Sequence, residues 1–174
     1  TVYARLATRV NDIEGEDCAA ISVEMADGSI AVLSATLGAA DETSRLKFTF
    51  HDMTVESASP EPYRPGKSPW IFKGKTAAID AAIQAALADF EPTLESYEGQ
   101  FARIHATLTQ DAPTPVTLAD ARASLELITA IYHCGEVGEP VTLPIAKDHP
   151  KYASWKPTTG GGFPKALAKE ARHV

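Results

Sequence analysis

The period of the apolar pattern changes once along this chain, and that change limits the fold more than any motif does. Through residue 72 apolar side chains recur at every second position, and from Thr76 they recur at intervals of three and four. Strands and helices present side chains at those two periods, so the first part reads as strands and the middle as helices. Segregation of this kind predicts an α+β domain: a mostly antiparallel, open-faced sheet with helices packed on one face.

Val2, Ala4, Leu6, Thr8 and Val10 alternate with Tyr3, Arg5, Ala7 and Arg9, which predicts a first strand. Thr1 is not methionine and the chain begins already inside that strand, as a trimmed or incomplete polypeptide would. After an acidic link over residues 11–17, Ala19 to Ala26 and Ile30 to Thr36 alternate on either side of Asp27-Gly28, a hairpin whose turn residues tolerate positive φ. Leu46, Phe48 and Phe50 mark another strand, and residues 53–57 either continue it or pair beside it. The run SPEPYRPGKSP, residues 59–69, cannot be a central strand because its prolines lack ladder donors. It predicts a surface loop, after which Trp70, Ile71 and Phe72 return to the core.

Ile79, Ile83, Leu87 and Phe90 share a helical face that Pro92 ends, and Phe101, Ile104 and Leu108 mark a helix from about Tyr97 to Thr109. The next helix is the most legible. Thr117 and Asp120 form a capping-box pattern, Leu118 opens the helix, and Gly135 is the predicted end. Its expected core face is Ala121, Leu125, Ile128 and Tyr132, with Arg122, Glu126, Thr129 and His133 outside. Ile79, Ile104 and Ile128 are expected against one sheet face. Val141, Thr142 and Leu143 then predict a short strand closed by Pro144. Beyond it the pattern is irregular, with Trp155 an anchor, a hinge at residues 160–162 and a tail helix from Pro164. The whole chain, 1–174, reads as a single domain with residues 156–174 as a peripheral tail.

The chain has 174 residues, 44% hydrophobic and 22% charged, enough for a globular core without disulfides or metal. A formal net charge of −7 with no dense Lys/Arg cluster opposes binding to nucleic acid. Two cysteines, Cys18 and Cys134, are too few for a secreted disulfide framework and point to a reducing cytoplasm. No apolar run approaches the roughly 20 residues of a spanning helix, so no membrane partner is expected.

Gly74-Lys75-Thr76 at a strand-to-helix junction imitates the end of a phosphate-binding loop, but Pro69 stands where that loop needs glycine. There is no GxGxxG, HExxH or GxSxG, and the histidines 51, 105, 133, 149 and 173 lack metal-ligand spacing. His133 beside Cys134 imitates a nucleophile and base, although neighbours on a helix point apart. Glu14, Glu16 and Asp17 read as a solvated turn or as paired carboxylates. Tyr63, Arg64, Trp70, Tyr152 and Trp155 lie on or beside loops, where such side chains either meet ligands or anchor the fold. The substrate-binding candidates are Tyr63, Arg64 and Trp70. No catalytic, cofactor-binding or metal-ligating residue is assigned.

The segments ASLELITAIYHCGEVGEPVTLP, residues 123–144, TVYARLATRVNDIEGEDCAAISVEMADGSIAVL at the start, and DHPKYASWKP resemble the C-terminal domain of the Gfo/Idh/MocA family of NAD(P)-dependent oxidoreductases. The resemblance covers nearly the whole chain through strand and helix patterns. It implies a substrate-binding and oligomerisation domain of a larger enzyme that acts on a sugar, polyol or related compound. It also implies an N-terminal Rossmann domain that holds NAD or NADP, and homo-oligomer formation through the open sheet face. The family's glycine-rich loop, its Glu-Lys-Pro lysine and its proton-transferring Asp and His would all precede Thr1. This chain by itself is then expected to bind no cofactor and to catalyse nothing. The alternative is a self-contained ligand-binding or dimerisation module without enzymatic activity.

Overall fold

The computed structural model describes residues 1–156. The predicted hinge at 160–162 and the tail helix lie outside the described residues. The elements run β1 (Val2–Ala7), β2 (Cys18–Glu24), β3 (Ile30–Thr36), β4 (Lys47–Thr49), β5 (Met53–Ser57), β6 (Trp70–Gly74), α1 (Ala77–Leu87), α2 (Ser96–Gln110) and α3 (Leu118–Val137). The α+β class and the antiparallel pairing agree with the periodicity. The strands, however, form two three-stranded sheets, ordered β1-β2-β3 and β4-β5-β6. Two compact units contain them: Thr1–Ala39 with the chain from Val116 onward, and Ala40–Pro115. The divide falls where the alternation lapses, in the Gly38-Ala-Ala-Asp-Glu stretch.

In the first unit the hairpin forms as its turn residues dictate. Gly28 takes φ 85°, and Asp27 accepts the Ser29 N–H at 2.9 Å. The register sets Val2 against Val23, Ala4 against Ile21 and Leu6 against Ala19, with Val23 opposite Ala31 and Ile21 opposite Leu33. Val2, Ala4 and Leu6 therefore share one face, and helix α3 packs on it. Val10 was expected to continue that face, but it is exposed. The chain turns away after Thr8 because the Asp17 carboxylate accepts the N–H groups of Arg9, Val10 and Asn11, each at 2.7 Å. Asp17 is thus a buried anchor for a loop, not a member of a solvated turn.

Helix α3 starts as predicted. Thr117 accepts the Asp120 N–H at 3.3 Å and Asp120 accepts that of Thr117 at 2.8 Å. Its packing face is a correction. Leu125 is 53% exposed and Ile128 45%, whereas Thr129, Ala130 and Cys134 are buried, with Leu127 and Ile131 against the core. The helix is apolar on more than one side, so periodicity does not select a face; side-chain size does. Ala130, Cys134 and Gly135 let α3 approach β1 closely, and a Cβ on Gly135 would lie 2.9 Å from Leu6 Cδ1. Gly135 is consequently an interior packing residue. The helix ends three residues later at Gly138, φ 76°, whose N–H reaches the Cys134 carbonyl at 2.8 Å.

The predicted strand at residues 141–143 reduces to one bridge, Val141 to Val2, with hydrogen bonds of 2.8 and 3.0 Å. In the second unit β5 is central, placing Phe48, Val55 and Phe72 in register, and α1 packs on β6 with Ile79, Ile83 and Leu87 half-buried. Phe90 lies past the end of α1 and is exposed. Of the three helices expected on one sheet, α1 and α3 thus each serve a different sheet. Phe101 and Leu108 of α2 are exposed.

Two outcomes test this packing. Replacing Cys134 by Ala removes both volume and a buried acceptor and should lower the unfolding free energy by about 2 kcal/mol; Cys134→Ser, which keeps donor and acceptor, should lose less in urea denaturation. Asp17 is held well below the usual carboxylate range, chiefly by the Asn11 N–H and then by those of Arg9 and Val10. The stability it contributes is full above its unfolded pKa of about 4 and is lost as pH falls toward its lower folded value. Asp17→Asn should melt several degrees lower at pH 7, the gap to the wild type closing below pH of about 4.

Candidate functional site

The sequence-predicted candidates Tyr63, Arg64 and Trp70 all lie in the second unit, on or beside the proline-rich loop. Two turns fold that loop, with the Arg64 N–H reaching Glu61 O at 3.1 Å and the Lys67 N–H reaching Arg64 O at 3.0 Å. The Glu61 carboxylate pairs with Lys67 and lies 3.5 Å from Arg64 Nη1, and the Lys67 ammonium above all holds its pKa low. Trp70 is half-buried, donates from Nε1 to Gly66 O at 3.2 Å, and sits against Phe48 with ring centroids 6.2 Å apart. It pins the loop to the sheet. Tyr63, by contrast, is 82% exposed and free to meet a ligand.

Beside this loop lies a cleft of about 460 Å³, with Glu42, Arg45, Glu56, Ser59, Pro62 and Ile71 among its lining residues. Tyr63, Arg64 and Trp70 are not part of that lining, although Pro60 and Pro62 of the same loop are. Ser57 and Ser59 spend their hydroxyl oxygens on the N–H groups of Leu46 and Glu61, at 2.8 and 3.2 Å. Arg45 makes no hydrogen bond or ion pair among the described residues, so its guanidinium can bind a ligand oxygen. Sequence reasoning missed the cleft. Its signal was only a polar connection between two strands, and Arg45 stands in no motif.

A second polar cluster surrounds the end of α3 in the first unit. Tyr132 donates to Glu16 Oε1 at 2.5 Å and sits against Trp155, 5.4 Å between centroids. Burial, and then Glu16, push the phenol up to about 12. Glu16 is therefore a hydrogen-bond partner rather than half of a catalytic carboxylate pair. His133 meets His149 at 4.7 Å, while Cys134 points to β1, so the adjacent pair is split between two surroundings. Among the described residues no group of three or more His, Cys, Asp or Glu is placed to hold a metal ion, and no helix is long and apolar enough to cross a membrane.

Neither helix start that follows a glycine or a cap offers free donors to a phosphate. At the Gly74-Lys75-Thr76 junction the Gly74 N–H is taken by Asp80 Oδ1 at 2.6 Å and the Ile79 N–H by Thr76 at 3.3 Å. A pyrophosphate there would meet a carboxylate instead of free donors. The N-terminus of α3 is likewise occupied by its capping box.

No family profile matches the sequence, and no curated protein matches it. Two solved structures share its fold. The WlbA dehydrogenase from Bordetella pertussis, in complex with NADH and UDP-GlcNAcA, superposes with a TM-score of 0.60 at 19% identity, over 83% of this chain and 42% of that one. The yvaA protein of Bacillus subtilis, classed as an oxidoreductase, superposes with a TM-score of 0.57 at 12% identity, over 82% of this chain and 45% of that one. The chain thus spans less than half the length of either.

Removing the indole donor with Trp70→Leu should free the loop. Amide exchange over residues 60–68 should then accelerate about tenfold by mass spectrometry while exchange within α3 stays unchanged.

Proposed function

We propose that this chain is a substrate-binding and oligomerisation domain of an NAD(P)-dependent oxidoreductase of the Gfo/Idh/MocA type, joined in the enzyme to a Rossmann domain. The observation that carries the reading is the fold shared with part of two oxidoreductase chains, one of them bound to NADH and a nucleotide sugar. The three segments that resemble the family support it independently of the superposition.

Hydride transfer needs the substrate carbon held against a nicotinamide, with an acid or base within reach of the reacting hydroxyl. The nicotinamide supplies the hydride chemistry; this chain supplies the shape of the substrate pocket. Tyr63, Arg64 and Trp70 are the substrate contacts: an exposed phenol, a cation and a fixed aromatic face suit a sugar, polyol or related compound. None of them serves as nucleophile or proton carrier. The outer face of the first sheet, with Tyr3 and with Val32 78% exposed, is the surface for a second copy. The enzyme would work in the cytoplasm, consistent with two free cysteines.

In the complete enzyme Arg64→Ala should raise the KM for substrate about tenfold while leaving NAD(P)H affinity unchanged. Steady-state kinetics with a cofactor titration read both. An unchanged KM, or a loss of cofactor binding, would remove Arg64 from the substrate site. Stabilisation of the chain by a small ligand in a protein that never uses NAD(P)H would favour the self-contained module.

A further inference from the structure

Residues 145–156 cross the end of α3 as a strap that has little apolar grip. Ile145 is its buried apolar side chain, and Trp155 is only partly covered where it meets Tyr132. Polar contacts do the rest. Lys151, 6% exposed, lies 2.8 Å from Glu136 of α3 and donates to the Lys156 carbonyl at 2.5 Å. Within the strap the His149 N–H reaches Ala146 O at 3.0 Å and the Tyr152 N–H reaches His149 O at 2.9 Å.

Both histidines of this contact are arranged for the neutral form. His149 Nδ1 accepts the Lys151 N–H at 3.1 Å, which requires an unprotonated Nδ1 and leaves the ring proton on Nε2. His133 Nδ1 is buried without a hydrogen-bond partner, so a proton placed there would meet no acceptor. The rings touch edge to face, at 4.7 Å and 79°. The charged groups around His133 are His149 and Lys151 from the strap and Glu136 and Glu139 from the end of α3; from β1, Arg5 lies beside Gly138.

We propose that residues 145–156 are a pH-released strap, docked on α3 while His133 and His149 are neutral and freed when they take up protons. A proton on His149 Nδ1 removes the acceptor that holds the Lys151 turn. A proton on His133 adds a cation next to Lys151, whose own charge is already committed to Glu136. Burial lowers the His133 pKa, helped by His149 and Lys151 and opposed by the two glutamates. A histidine depressed in the docked state binds protons more readily once released. Docking is then complete above the unperturbed value of about 6.5 and weakens as pH falls below it.

Trp155 reports the event when Trp70→Phe removes the other indole from the full chain. Acrylamide quenching of Trp155 should rise about twofold between pH 7 and pH 5 as the strap is released. In the same background His133→Gln with His149→Asn, which keeps an acceptor near Nδ1 but cannot titrate, should hold quenching at its pH 7 level throughout. His149→Asn alone, the milder change, should reduce the rise if the double variant does not fold. Quenching independent of pH in the Trp70→Phe chain with both histidines intact overturns the proposal. So does an undiminished rise in the histidine variants.

Discussion

Ala4 of β1 turns its backbone N–H and C=O away from β2, and the thiol of Cys134 takes both, accepting at 2.9 Å and facing the carbonyl at 3.5 Å. The rest of the first unit depends on that contact. An edge strand with unsatisfied groups would be open to pairing with another chain. Here Val2 bonds to Val141 and Ala4 to Cys134, so the backbone of β1 is occupied on both sides at these positions. The same approach brings Ala130 and Gly135 over Val2 and Leu6, and close packing of small residues substitutes for a large apolar face.

That arrangement covers one face of β1 and reaches Val23 of β2, and leaves much of the sheet uncovered. Val32 and Leu33 point to opposite faces of β3, and both are exposed. Exposed apolar residues on both faces leave part of this sheet without packing among the described residues. The second unit shows the complementary economy: a short three-stranded sheet with Val55 as its buried apolar residue, carrying a long ordered loop and a polar cleft. The buried contacts of the first unit centre on α3 and β1, whereas the polar side chains of the second unit's cleft come from its connecting segments and from β5.

The alternation of Val2 to Thr8, the Asp27-Gly28 turn and the Thr117/Asp120 box were all legible, because each depends on neighbours in sequence. The face of α3 was not. Leu125 and Ile128 are larger and more apolar than Ala130 and Cys134, and only the proximity of β1 makes the small residues the buried ones. Gly135 shows the same limit, since a glycine near a helix end serves as a stop or as room for Leu6, and the choice is tertiary. Asp17 looked solvated because its three donors come from residues whose turn it creates. Of the site, the loop with Tyr63, Arg64 and Trp70 was legible from its prolines. The cleft at Arg45 was not, because it is assembled from segments separated in sequence.

In the proposed enzyme, hydride chemistry lies outside residues 1–174 and substrate recognition within them. The most direct measurement is a titration with NADH, following energy transfer from tryptophan to the dihydronicotinamide, of residues 1–174 and of the complete gene product side by side. Saturable transfer in the complete protein and none in residues 1–174 is the predicted result. No binding by the complete protein, or equal binding by residues 1–174 alone, would contradict it.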